Sequence, residues 1–272
     1  MTIKKNSLLS ASTGLMFLIL FFCLLPEVEA SEHPNENRAV AGSATFEGSM
    51  ALARYAVSAD GLEERISEVH ILISSDNISM ESVDGGVIDL VGNIRAEKIL
   101  IRQSRDDLVF FTTDRKAVTM NRQELQQMIN MLENMRGSNS NGQNRSGDLN
   151  IHETEDTQTI QGYTARKWTV NADNRVAEWH IWVTDDISVP WGMLSQQWLL
   201  NHTILGSLPA EKWLNDGKLP IKAEHYNGGR LAEVIRFEDI SSGNVPESDF
   251  RIPADYQQIN FQQMLFDRMR NR

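Results

Sequence analysis

Cysteine is almost missing from this chain. The one present, Cys23, lies in an apolar run near the N-terminus and not in the body of the sequence. Disulfides, a thiolate nucleophile and zinc–thiolate sites are therefore excluded for everything downstream of it. A lipid-bearing cysteine normally follows a small residue, and Phe21 and Phe22 stand before Cys23, so lipoprotein processing there is not favoured. Positive charge is also short. Lys and Arg number 26 against 37 Asp and Glu, a net charge of −11. An acidic surface repels phosphate backbones and no basic stripe offsets it, so nucleic acid is not an expected partner. Long apolar runs are lacking too: Leu15–Leu25 has 11 residues, where a membrane-spanning helix needs about 20. No transmembrane span is expected in the mature chain.

That short run supplies an address. Lys4 and Lys5 precede it, Pro26 ends it, and Val28-Glu29-Ala30 brings small residues to a cleavage point before Ser31. The order predicts a signal peptide over residues 1–30, cut between Ala30 and Ser31, and a periplasmic or secreted location. Removal of residues 1–30 leaves 242. A chain of that length can bury a substantial core without disulfides.

Residues 31–45 are polar and small, and are expected to form a flexible lead-in. From Phe46 the pattern becomes extended. Strands are predicted at Phe46–Val57, around Val69–Ile73, at Ile78–Met80, at Lys98–Gln103 and at Asp107–Thr113. Asn121 with Glu124 predicts a capped helix start. Leu125, Met128, Ile129 and Leu132 follow at helical spacing, and Gly137 stands where that helix should stop. Residues 137–149 are Gly, Ser and Asn without apolar periodicity, which reads as a flexible loop or linker. Further strands are expected at Ile151–Thr159, Tyr163–Val170, Arg175–Thr184, Pro220–Tyr226 and Arg230–Glu238. Asn227-Gly228-Gly229 suits the tight turn of a hairpin between the last two. Pro190 can open a short helix through Trp191, Leu194 and Trp198, and a final helix is expected from about Asn260. Residues 46–272 then form one β-rich domain, or two strand-rich halves, 46–136 and 150–272.

Side-chain chemistry is sparse. There is no G-x-S-x-G elbow and no H-x-x-x-H spacing. His180 and Glu178 share one strand face, but a metal site needs a third and fourth ligand. No cofactor is expected, and the absence of site chemistry points away from an enzyme. The unusual feature is tryptophan: all six fall between Trp168 and Trp213. Alternation places Trp179, Ile181 and Val183 on one face, and Glu178, His180, Trp182 and Thr184 on the other. Trp168, Trp182, Trp191 and Trp198 are candidate contacts for an apolar ligand, with Met128 and Met264 as adaptable lining. Core packing weighs more than ligand binding for both residue types, because large aromatics dominate cores and methionine fills gaps in them.

Three segments carry a family resemblance. Ile160–Val170 (IQGYTARKWTV), Glu178–Thr184 (EWHIWVT) and Phe250–Tyr256 (FRIPADY) resemble motifs of the bacterial family of unknown function numbered 4412. The family pattern places a cysteine soon after the Gly-Tyr step, where this chain has Ala165. The resemblance spans about Phe46 to Tyr256. It implies a plan similar to exported lipoprotein-carrier domains, a half-barrel with an apolar cavity, and it brings no catalytic residues.

The expectation is therefore an α+β fold: a curved, mostly antiparallel, half-barrel-like sheet covered by two or three helices. Its expected role is non-enzymatic binding of a lipid or other apolar small molecule. The alternative is an envelope protein that binds a protein partner and has no ligand pocket.

Overall fold

The computed structural model describes residues 45–83, 86, 88–89, 95–125, 127, 149–172, 177–192 and 211–270. The expected signal peptide with Cys23, its expected cleavage point at Ala30–Ser31, the expected lead-in up to residue 44, most of the expected loop at 137–149, Met128 and Trp198 lie outside these residues.

In the N-terminal half the strands are β1 (Gly48–Val57), β2 (Glu63–Ile73), β3 (Asn77–Ser82), the short β4 (Ile88–Asp89) and β5 (Arg95–Ala96), β6 (Lys98–Arg102), β7 (Asp107–Phe111) and β8 (Lys116–Asn121). The C-terminal half adds β9 (Leu149–Ile160), β10 (Tyr163–Ala172), β11 (Ala177–Thr184), helix α1 (Glu211–Leu214), β12 (Leu219–Asn227), β13 (Arg230–Ser242), β14 (Gln257–Asn260) and helix α2 (Phe261–Arg270). Twelve strands make one sheet in the order β14-β8-β7-β6-β3-β2-β1-β13-β12-β11-β10-β9, and β4 pairs with β5 alone. Two antiparallel meanders meet where β1 pairs with β13. Several of their turns are short, as antiparallel neighbours allow, while longer connections join β3 to β6 and β11 to β12.

Local chemistry sets the turns. Gly228 and Gly229 both have positive φ, +62° and +75°, between the paired Asn227 and Arg230. Two successive positive φ values match the twist of the flanking strands. Gln161 and Gly162 do the same between β9 and β10, at φ +51° and +85°. Arg102 and Asp107 close the β6–β7 hairpin with two hydrogen bonds of 2.7 Å.

One face of the sheet carries the main core, which runs from Val118 and Met120 on β8 through Met50, Leu52, Ile71, Ile235 and Phe237 to Ile181 and Val170. On the opposite face the chain after β13 crosses back as a strap. Val245, Phe250, Ile252 and Tyr256 pack there on Leu100, Val109, Phe111 and Ala117. The strap then delivers β14 to the sheet edge, where it pairs parallel with β8.

This overturns the expected α+β half-barrel closed by helices. The protein is mostly sheet. Among the described residues, α-helix amounts to α1, α2 and the turn after Asn121, with short 3-10 turns at Gln103–Arg105 and Glu247–Phe250. That turn has the expected cap: the Asn121 N–H donates to Glu124 at 3.0 Å and the Glu124 N–H to Asn121 Oδ1 at 2.8 Å. α2 packs beside β8 and β14 at one edge of the sheet. An apolar stripe shows that a helix has a face to bury, not how much sheet it covers. Non-helical chain does much of that covering here. Of the short helix expected from Pro190, Leu194 and Trp198 lie outside the described residues; Pro190 and Trp191 themselves are not helical. They are held by hydrogen bonds from the Val189 N–H to the Gly217 carbonyl and from the Trp191 Nε1 to the Lys218 carbonyl. No helix among the described residues is long and apolar enough to cross a membrane.

Candidate functional site

The tryptophans gather at the β10–β11 end of the sheet. Trp168 on β10 pairs in register with Ile181 on β11 and stands on the core side with Val170. β9 bulges opposite it. Residues 154–156 leave the register between Glu153 and Thr157, and the Thr154 hydroxyl donates to the Lys167 carbonyl at 3.1 Å. The extra residues loosen pairing at this corner.

α1 supplies the facing wall. Its end is a Schellman motif. The Lys218 N–H donates to the Trp213 carbonyl at 2.9 Å, and the Gly217 N–H to the Leu214 carbonyl at 3.0 Å, with Gly217 at φ +72°. This cap turns Trp213 and Leu214 into the core, where they are 1% and 2% exposed. Trp213 meets Trp168 edge to face, centroids 5.6 Å apart. Lys212, the residue before it, holds its Nζ 4.6 Å from the centroid of the Trp168 ring.

Trp182 takes the other side of β11, between Lys167 and Lys222 in register. Lys167 Nζ lies 6.0 Å from its ring. The indole nitrogens of Trp182 and Trp213 are buried with no hydrogen-bond partner. Trp191 is buried, tilted against Phe237 at 6.2 Å, and its own N–H is satisfied. Trp168 and Trp182 remain half-buried, packed on the main core.

Of the candidate ligand contacts, the corner thus unites Trp168 with Trp213, while Trp182 and Trp191 pack on other parts of the same core. Met264 is buried in α2 by β8 and β14, far along the strand order from β9–β11. Sequence reasoning passes over Trp213 and Lys212 as site residues. The feature that marks Trp213 is a donor without an acceptor, which only three dimensions reveal.

Two polar clusters flank the corner. On the core side His225 stacks on Trp179 at 4.5 Å, and Glu233 beside it pairs with Arg54. Burial, opposed by Glu233 and aided by Arg54, pulls the His225 imidazole below its ordinary range. On the other side His180 Nε2 meets Glu178 Oε1 at 2.9 Å and its ring lies 4.5 Å from Tyr226. Burial and the nearby Glu224 raise the Tyr226 hydroxyl above its ordinary range. Among the described residues no three His, Cys, Asp or Glu side chains group as metal ligands.

Residues 46–256 match the family model described as Domain of unknown function (DUF4412). This chain belongs to DUF4412. The resemblance carried by Ile160–Val170, Glu178–Thr184 and Phe250–Tyr256 is borne out, and the structure gives these DUF4412 segments physical roles. The first is the β9–β10 turn and the strand bearing Lys167 and Trp168, the second is β11, and the third is the strap. No curated protein matches the chain in sequence. Among solved structures it is similar to an uncharacterized conserved protein from Thermus thermophilus, at 9% identity and TM-score 0.36, over 79% of this chain and 91% of that one. It is also similar to PNGF-II, at 10% identity and TM-score 0.38, over 80% of this chain and 32% of that one. A third is MucB, solved in complex with MucA(peri), at 13% identity and TM-score 0.36, over 78% of this chain and 57% of that one.

Proposed function

We propose that this DUF4412 chain is an exported binding protein without catalytic activity, and that it holds an apolar ligand such as an acyl chain against the corner formed by Trp168 and Trp213. The observation that carries this reading is the contrast in burial. Trp213 is 1% exposed, while Trp168 beside it stays half-buried on the main core. A large, part-exposed aromatic face next to a buried one suits an apolar chain, which gains by leaving water. The basic–apolar–small order of residues 1–30 supports export. Protein recovered from a periplasmic fraction should carry a lipid in native mass spectrometry and should take up a fluorescent fatty acid. Mature protein confined to the cytosol, or protein that is repeatedly empty and takes up nothing, overturns the reading.

One observation favours a second reading, a protein partner in the envelope. β9 is a 12-residue strand at the sheet edge, with no further strand beside it among the described residues. Edge strands template pairing with another chain. A stoichiometric partner captured from envelope fractions by ligand-free protein would favour this reading over the first.

A further inference from the structure

We infer that the ligand held at this corner is an anionic amphiphile, its acyl chain lying on Trp168 and its oxygen-bearing head taken by Trp213 and Lys212. The inference rests on the reading above and names the chemistry of the same site. An indole nitrogen donates and cannot accept. The Trp213 N–H is buried with nothing to receive it, while the Trp191 N–H nearby is satisfied by the Lys218 carbonyl. Buried donors are nearly always paired, so an unpaired one calls for a missing acceptor.

The cation comes from a separate observation. Lys212 is exposed, sits over the Trp168 ring, and makes no ion pair among the described residues. This is unusual in a chain with 37 acidic residues. Lys167, over Trp182, is different, because it already faces Asp156 at 3.6 Å. The Trp168 ring therefore touches two side chains with donors to spare: the Trp213 indole, whose N–H is buried and unpaired, and the exposed Lys212, which has no ion pair among the described residues. The capped turn of α1 holds both donors in place. A carboxylate or phosphate oxygen on an acyl chain meets all three needs: an acceptor for the indole, an anion for the lysine and an apolar body for the ring. A free fatty acid and a phospholipid share this chemistry.

The test uses the mature chain with 15N-labelled tryptophan indoles. It is titrated with laurate, with lauroyl lysophosphatidylglycerol and with methyl laurate as the neutral counterpart. Trp213→Phe assigns the Trp213 signal. An anionic ligand is expected to move that signal downfield and to bind about tenfold tighter than methyl laurate. Lys212→Gln, on an exposed side chain, should keep the fold and remove most of that tenfold, weakening laurate far more than methyl laurate. The tighter of the two anionic heads identifies the source. Equal affinities for laurate, the lysophospholipid and methyl laurate, with Lys212→Gln silent, overturn this inference and leave the apolar-ligand reading standing. Binding of none of the three overturns both.

Discussion

A Cβ placed on Gly48 would stand 2.0 Å from the backbone carbonyl oxygen of Ser241. Gly48 opens β1 with φ +152°, in register with Ser242 on β13 and Ile73 on β2. This is the seam where the two meanders meet, and the blocking atom is backbone, so no rotamer can relieve the clash. Gly48→Ala is expected to cost about 3 kcal/mol or more in urea unfolding. Gly162, at φ +85° with no atom within 4 Å of a built Cβ, is the control. There only the backbone conformation counts, and Gly162→Ala should cost about 1–2 kcal/mol. Equal losses at the two positions would show that the seam relaxes.

The strap after β13 should matter more than its irregular shape suggests. Phe250 is 6% exposed, Tyr256 meets Phe111 edge to face at 5.2 Å, and Lys98 Nζ donates to the Asp249 carbonyl at 3.3 Å. Without the strap, Leu100, Val109 and Phe111 would face water. Phe250→Ala is expected to cost about 3–5 kcal/mol and to speed proteolysis between residues 243 and 256. Unchanged protease resistance in a destabilised variant would place the loss elsewhere in the fold.

Local signals in the sequence carried the turns and the alternating strands. Asn227-Gly228-Gly229 predicts the β12–β13 hairpin, and Asn121 with Glu124 predicts the capped start. Trp179, Ile181 and Val183 alternate into the core as expected. Thr184 departs from the pattern. Alternation assigns it to the polar side, yet it is 0% exposed, because a register shift between Trp182 and Thr184 re-aims it beside Leu219. β8 is hard to see because Ala117, Val118 and Met120 are all buried, two facing the core and one facing the strap. β14 is harder still. Only Ile259 is buried among its four residues, and its parallel partner lies more than a hundred residues earlier. Helix cover fails for a related reason, since sequence periodicity carries no information about which surface a stripe meets. The unpaired Trp213 donor depends on the α1 cap, β10 and the strands behind them together.

Tyr55 ties a charged cluster on the strap side of β1, β2 and β13. Its hydroxyl donates to Glu238 at 2.8 Å and accepts from Arg65 Nη2 at 2.8 Å, while the Arg236 guanidinium lies 4.1 Å over its ring. Burial pushes the Glu238 carboxyl up, but hydrogen bonds from Arg236 and Tyr55 outweigh it and hold the carboxyl below its ordinary range. Tyr55→Phe keeps the ring and its cations and removes the bonds of the hydroxyl to Glu238 and to Arg65 Nε and Nη2. It is expected to cost about 1–2 kcal/mol at pH 7. Tyr55→Leu, which also loses the ring, should cost more. If the two variants were equally stable, the ring contacts with Arg65 and Arg236 would contribute nothing.

His225 gives the fold a dependence on pH with a definite sign. Its folded imidazole titrates below the ordinary value because burial, with help from Arg54, disfavours the charged form more than Glu233 favours it. As pH falls below about 6.5, the unfolded chain takes up a proton before the folded chain does. Protonation therefore favours unfolding, and stability that is full above that pH is lost progressively down to the folded pKa. Carboxylates add their own loss at lower pH, so the informative quantity is a difference between proteins. Between pH 7.5 and 5.5 the urea midpoint of the wild type should fall more than that of His225→Phe, which keeps an aromatic ring against Trp179. Protonation of the stacked imidazole should also change Trp179 fluorescence in the folded wild type over a range below pH 6.5, and His225→Phe should lack that step. Parallel pH profiles for the two proteins would mean that the Trp179 stack and the Arg54–Glu233 pair leave the imidazole as free to charge in the fold as in water.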